Sequence, residues 1–130
     1  MDRQYTLILQ HMERRYGVSV LRQRLTMGRR SDMDLVVAGN QVSKFHAVVS
    51  FEQGHYFLED CSRNGTYLLG NKRAVVHLVR GRARLEARGL ISLGVRPGLT
   101  MSAEIQYWAE LTGVPDADFS SSVVPTSDLP

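Results

Sequence analysis

The chain has little cysteine, no long apolar run and no stretch with a helical period. One cysteine, Cys61, stands among 130 residues. That excludes an internal disulfide framework and any metal cluster built from cysteines, and it suits a reducing, cytoplasmic setting. No run of apolar residues approaches the roughly 20 that a membrane-spanning helix needs. The N-terminus lacks a basic-then-apolar leader pattern, so no membrane partner is expected. No glycine-rich loop ends in Lys-Ser or Lys-Thr, and no histidine pair has metal-ligand spacing. No cofactor and no metal are expected. Cys61 lacks the features of a nucleophile, even with His46 and His55 in the same stretch. Nothing in the sequence lowers its pKa, and no third group is evident to orient a base. No catalytic residue is assigned.

What is present is a succession of short strand-like runs. Tyr5 to Leu9 is apolar and strand-forming, and Val18 to Leu21 is the next such run, with a polar turn expected over Met12 to Arg15. Arg22 to Thr26 alternates charged and apolar residues, and Gly28 ends it. Leu35 to Val37 follows. From His46 to Phe51 the alternation places Ala47, Val49 and Phe51 on one face. Gln53-Gly54 turns the backbone into Tyr56 to Leu58, which predicts a hairpin. Asn64-Gly65 is a strong turn dipeptide before Thr66 to Leu69. Val75-Val76, Leu78-Val79, Ala83 to Leu85, Leu90 to Leu93 and Ala103 to Trp108 are further short strands. This pattern predicts an all-β domain, either sandwich or barrel, over residues 1–111. Residues 112–130 change character. Pro115, Ser120 to Ser122, Pro125 and Pro130 cannot pack a core, so a flexible tail or linker to a larger assembly is expected.

The formal charge is only +3, but Arg29, Arg30, Lys44, Arg63, Lys72 and Arg73 flank one central stretch, Met27 to Tyr67. They form either a solvated basic face or the footprint of an anionic partner. Three pieces of that stretch carry chemistry. Gly28-Arg29 offers a planar fork of donors suited to phosphate or carboxylate, unless Asp32 or Asp34 pairs with it. Ser43 supplies a hydroxyl beside the point charge of Lys44, or caps its own loop. His46 reads as a structural pin, one ring nitrogen donating and the other accepting. Asn64-Gly65-Thr66 is a tight turn, and the Asn64 amide can both donate to and accept from a peptide backbone.

Taken together, Gly-Arg, Ser-x-x-His and Asn-Gly-Thr at strand ends of an all-β domain form a recognisable signature. From Tyr5 to Trp108 the sequence resembles the forkhead-associated (FHA) domain. The resemblance implies a two-sheet β-sandwich of about eleven strands whose loops at one end bind phosphothreonine peptides. It implies that Arg29 and Ser43 hold the phosphate, with Lys44 at a second basic position. His46, Gly28, Gly65 and Thr66 structure the loops. Asn64 bonds the peptide main chain just after the phosphothreonine. Arg63 stands where many members have threonine, and it is taken as a further phosphate contact or a guide for flanking residues. Arg88 to Gly94 departs from the family by lacking an acid before its isoleucine. A weaker similarity over Ala74 to Gly94 is to FHA domains attached to bacterial adenylate or guanylate cyclases.

The expected function is therefore non-enzymatic recognition of a phosphothreonine protein in signalling. The rival is a nucleic-acid-binding β-domain using the basic cluster. That rival expects stacking aromatics on the surface, whereas Phe45, Phe51, Tyr56 and Phe57 fall largely at core-like positions. The tail offers Thr126, with Leu129 three residues later, as a self-ligand once phosphorylated. The alternative for the tail is a passive tether.

Overall fold

The computed structural model describes residues 4–71 and 74–113. Lys72 and Arg73 of the basic cluster, and the tail with Thr126, lie outside them. The described residues form eleven strands: β1 (Gln4–His11), β2 (Arg14–Val18), β3 (Arg24–Gly28), β4 (Leu35–Val36), β5 (Ala47–Glu52), β6 (His55–Asp60), β7 (Thr66–Gly70), β8 (Val75–Leu78), β9 (Arg82–Arg84), β10 (Arg88–Leu93) and β11 (Glu104–Gly113). A short 3₁₀ turn, Met101–Ala103, precedes the last strand. The strands make two sheets, ordered β2-β1-β11-β10-β7-β8 and β4-β3-β5-β6-β9. Every pairing is antiparallel except that of β3 with β4.

One core lies between the sheets. Leu7, Leu9, Ile91, Leu93, Ile105 and Tyr107 of the six-stranded sheet meet Leu25, Met27, Ala47, Val49 and Leu58 of the five-stranded one. Residues two apart on a strand share a face. That is why Ala47 and Val49, and Tyr56 and Leu58, enter the core as pairs from the β5–β6 hairpin. The architecture is the all-β, two-sheet sandwich that the sequence resemblance implies.

Some boundaries differ from the sequence reading. The second strand is Arg14–Val18 rather than Val18 to Leu21. It is an edge strand, so Arg14 and Arg15 remain exposed, while Leu21 is 95% exposed in a turn. Val75-Val76 and Leu78 belong to a single edge strand, β8, which ends before Val79. The last strand runs to Gly113 because it pairs along β1 from Gln10↔Gln106 to Gln4↔Gly113.

The registers align the strand ends that matter. Met27, Ala47 and Asp60 are neighbours across β3, β5 and β6. Leu93 faces Thr66, and Ser92 faces Glu104. The loops that follow β3, β4, β6 and β10 therefore open on one end of the sandwich.

Candidate functional site

At the end of β3 the backbone is held against the β4–β5 loop by main-chain bonds. Arg29 N–H donates to the Ser43 carbonyl at 2.9 Å, Arg30 N–H to the Lys44 carbonyl at 3.2 Å, and His46 N–H to the Met27 carbonyl at 2.8 Å. The two backbones come so close at Gly28 that a Cβ there would sit 2.2 Å from the Lys44 oxygen. Real Cβ atoms do not approach backbone that closely, so glycine is required for the approach that sets Arg29 beside Ser43.

His46 is fully buried under these loops. Its Nδ1 accepts the Ser43 N–H at 3.0 Å, and its Nε2 lies 2.9 Å from the Gly65 carbonyl oxygen. A nitrogen that accepts an amide proton carries none of its own, so Nε2 bears the proton and donates it. The ring is thus a neutral strut between the β4–β5 and β6–β7 loops. Burial pushes its pKa down, against the opposing pull of the Gly65 carbonyl and the Asp60 carboxylate.

The β6–β7 loop is built on Asp60, which is only 2% exposed. Its Oδ1 accepts from the Ser62 hydroxyl at 2.6 Å, the Thr66 hydroxyl at 2.7 Å and the Ser62 amide at 3.3 Å. Its Oδ2 accepts from the Arg80 amide at 2.8 Å. Burial alone would raise this carboxyl, but the bonds from Ser62, Arg80 and Thr66 outweigh it and hold the pKa below the usual carboxylate range. Ser62 Oγ in turn accepts the Gly65 N–H at 2.8 Å. Gly65 has φ +87, and a Cβ there would meet the His77 ring at 2.2 Å. Both facts favour glycine. The turn presents Arg63 and Asn64 outward.

A pH dependence of stability follows from these two buried groups. Folding holds His46 neutral, whereas the unfolded chain takes up its proton near pH 6.5. That contribution is complete above the unfolded pKa and is lost as pH falls from there through the lower folded value. The lowered pKa of Asp60 has the same sign and acts below about pH 4. The urea midpoint is expected to fall between pH 7 and 5, and His46→Ala is expected to flatten that slope. A slope unchanged by the substitution would contradict the neutral-strut assignment.

The structure connects the sequence-predicted residues directly. Ser43 Oγ accepts the Arg63 N–H at 3.0 Å, which leaves the Ser43 hydroxyl proton to point elsewhere. Arg29 Nε donates to the Val42 carbonyl at 3.0 Å, and its terminal nitrogens meet no acceptor among the described residues. The pairing with Asp32 or Asp34 does not form. Asp32 is taken by Arg30 at 2.6 Å, and Asp34 by Arg22 at 3.1 Å and by Thr26. The exposed side chains of Lys44 and Arg63 likewise have no acid partner among the described residues. Asn64 Nδ2 donates to the Gln41 carbonyl at 3.2 Å and to Gln41 Oε1 at 3.1 Å. This fixes the amide with Oδ1 as its unused acceptor. Arg29, Ser43, Lys44, Arg63 and Asn64 thus form one cluster, underpinned by Gly28, His46, Gly65 and Thr66.

Four residues in this assembly carried no assigned role from sequence: Gln41, Asp60, Ser62 and His77. His77 Nε2 donates to the Asn64 carbonyl at 3.1 Å. Gly94 N–H reaches the Gly65 carbonyl at 3.0 Å and ties in the β10–β11 loop. Asp60 and Ser62 had a readable signal, since both closely precede Asn64-Gly65-Thr66. Gln41 and His77 had none.

The nucleic-acid reading finds no support. Tyr56 is buried, Phe51 packs on the core, Phe45 is half-buried, and Phe57 is covered by the Arg82 guanidinium 4.0 Å above its ring. None of these is a free stacking surface.

Comparison with known proteins agrees with this architecture. A model of the FHA domain family matches residues 25–94, which is more than half of the sequence and spans every residue of the cluster. The chain belongs to the FHA domain family. No curated protein sequence matches it. Its fold is similar to that of the Mycobacterium tuberculosis Rv1747 FHA-1 domain, with a TM-score of 0.63 at 20% identity over 82% of this chain and 97% of that one. It is similar to M. tuberculosis EmbR in complex with a low-affinity phosphopeptide, with a TM-score of 0.60 at 20% identity over 85% of this chain and 26% of that one. It is also similar to the MEK1 FHA domain in complex with a HOP1 phosphothreonine peptide, with a TM-score of 0.58 at 19% identity over 82% and 97%.

Proposed function

We propose that the protein is a phosphothreonine-peptide binding module that recruits a phosphorylated protein in signalling. One observation carries this reading. Three cations, Arg29, Lys44 and Arg63, stand on the bonded loops that carry the Ser43 hydroxyl, and none has an acid partner among the described residues. Such a cluster favours a bound dianion, because charge-assisted bonds to phosphate are short and strong. In this reading Arg29 makes the forked contact and Ser43 donates its hydroxyl proton. Lys44 and Arg63 add charge, and Asn64 Oδ1 accepts a peptide N–H just after the phosphothreonine. Gly28, His46, Gly65 and Thr66 hold these groups in place. The phosphopeptide complexes of similar folds support the assignment.

The domain works by binding rather than by catalysis. Desolvation and the charges of Glu59 and Asp60 push the Cys61 thiol up, away from the reactive range. No described helix is long and apolar enough to cross a membrane. A reducing cytoplasmic setting fits a sequence whose single cysteine is free.

The test is fluorescence polarisation with peptides that differ at one residue: phosphothreonine, phosphoserine or threonine. Binding should require phosphate. Phosphothreonine should exceed phosphoserine by more than fourfold. Burying one methyl gives about 0.8 kcal/mol, or about fourfold, and β-branching also restricts the bound rotamer. Equal affinity for the two phosphopeptides would contradict the reading.

Ser43→Ala should weaken binding less than loss of Arg29. A hydrogen bond to a charged group contributes about 1.5–3 kcal/mol, which corresponds to roughly ten- to 150-fold in affinity. Titration calorimetry of the variant checks this, and an unchanged affinity would remove Ser43 from the site.

A further inference from the structure

Beyond Asn64 the surface changes character. Moving along Arg63, Asn64 and Gly65, the backbone leaves Ser43 and reaches His77 and Gly94. There the His77 ring lies flat on Tyr67, with centroids 4.1 Å apart and planes inclined by 3°. The Arg96 guanidinium sits 5.7 Å from the centre of the Tyr67 ring. Arg96 belongs to the β10–β11 loop, two residues past the Gly94 amide that bonds Gly65. It is exposed and has no acid partner among the described residues. Glu104, the acid that flanks the same loop, is turned instead to the Gly98 amide at 2.6 Å. An arginine steadied over an aromatic ring loses less freedom when it binds a carboxylate than one free in solvent, and its planar fork suits that group.

We propose that this site selects phosphopeptides with an acidic residue following the phosphothreonine, and that Arg96 reads its carboxylate. The inference rests on the phosphopeptide reading above, in which the peptide continues past Asn64 after the phosphorylated residue. The Tyr67–His77 stack is the floor on which that segment runs. Arg96 is the cation at its far end, separate from the group that holds the phosphate.

The experiment uses the 130-residue chain and a series of alanine-glycine phosphothreonine peptides. Each carries one aspartate at one of the positions following the phosphothreonine, and each is matched by a peptide with asparagine there. At one position aspartate should bind about two- to fivefold tighter than asparagine at low salt, the range of an exposed ion pair. The advantage should shrink as salt screens it. Arg96→Ala should equalise that pair of peptides. Arg96→Glu should make lysine at that position preferred to aspartate. Parent protein that requires phosphate but binds every aspartate and asparagine pair equally would overturn the inference and leave the phosphopeptide reading standing. A preference that survives Arg96→Ala but disappears in Arg63→Ala would overturn the assignment to Arg96. Absence of any phosphate requirement would instead overturn the reading on which the inference rests.

Discussion

Replacing Arg29 by alanine is expected to weaken phosphothreonine-peptide binding by roughly thirty- to several-thousand-fold while the domain stays folded. The size follows from what is removed. The terminal nitrogens of Arg29 meet no acceptor among the described residues, so the protein gives up little of its own bonding there. A peptide phosphate loses a forked, charge-assisted contact, and truncating one partner of such a pair costs about 2–5 kcal/mol. The fold should survive because the side group is exposed and its one internal bond goes to the Val42 carbonyl. The Arg29 amide keeps its bond to Ser43. Titration calorimetry gives the affinity, and circular dichroism checks the fold. A folded variant that binds as tightly as the parent would remove Arg29 from the site.

Replacing His46 by alanine should act chiefly on stability. The ring is fully buried and joins two loops, accepting from the Ser43 amide and donating to the Gly65 carbonyl. Its loss leaves the half-buried Ser43 N–H unpaired and opens a cavity. The Gly65 oxygen is spared in part because it also accepts from Gly94. A buried group left unsatisfied costs about 1–3 kcal/mol, and the cavity adds to that, so we expect a loss of about 2–4 kcal/mol. For a domain of this size the melting temperature should fall by roughly 10 °C or more. Peptide affinity should fall with it, because Ser43 and Arg63 lose their common support. An unchanged melting temperature with abolished binding would show His46 to be a ligand contact instead of a strut.

The two substitutions test parts of the site that were unequally legible in the sequence. The three motifs were visible because each needs a particular residue at a strand end: Gly28 for backbone approach, Gly65 for a positive φ, and His46 for a two-sided bond. What the sequence did not show was how the charges pair. Asp32 and Asp34 stand close to Arg29 in sequence, yet Arg30, Arg22 and Thr26 take them. Only the fold decides that, because β3 and β4 run side by side in parallel and set Asp34 across from Thr26. Gln41 was likewise hidden, since it meets Asn64 across a separation of 23 residues.

The fold shows the same division. The β5–β6 hairpin was readable because Ala47, Val49 and Leu58 all enter the core and Gln53-Gly54 takes up positive φ at the turn. Edge strands were harder. β2 and β8 bury little, so their letters carry no clean alternation. Leu21 looked like strand interior but projects into solvent, because Ser19 and Arg22 close a turn there with mutual main-chain bonds at 2.8 and 3.2 Å.

The most direct measurement is an NMR titration of the ¹⁵N-labelled domain with a phosphothreonine peptide and its unphosphorylated twin. Phosphate recognition by these loops requires that the phosphopeptide shift the amides of Arg29, Ser43, Lys44, Arg63 and Asn64, and that the unphosphorylated peptide move none of them. Equal shifts from both peptides, or phosphate-dependent shifts confined to another face of the sandwich, would contradict it.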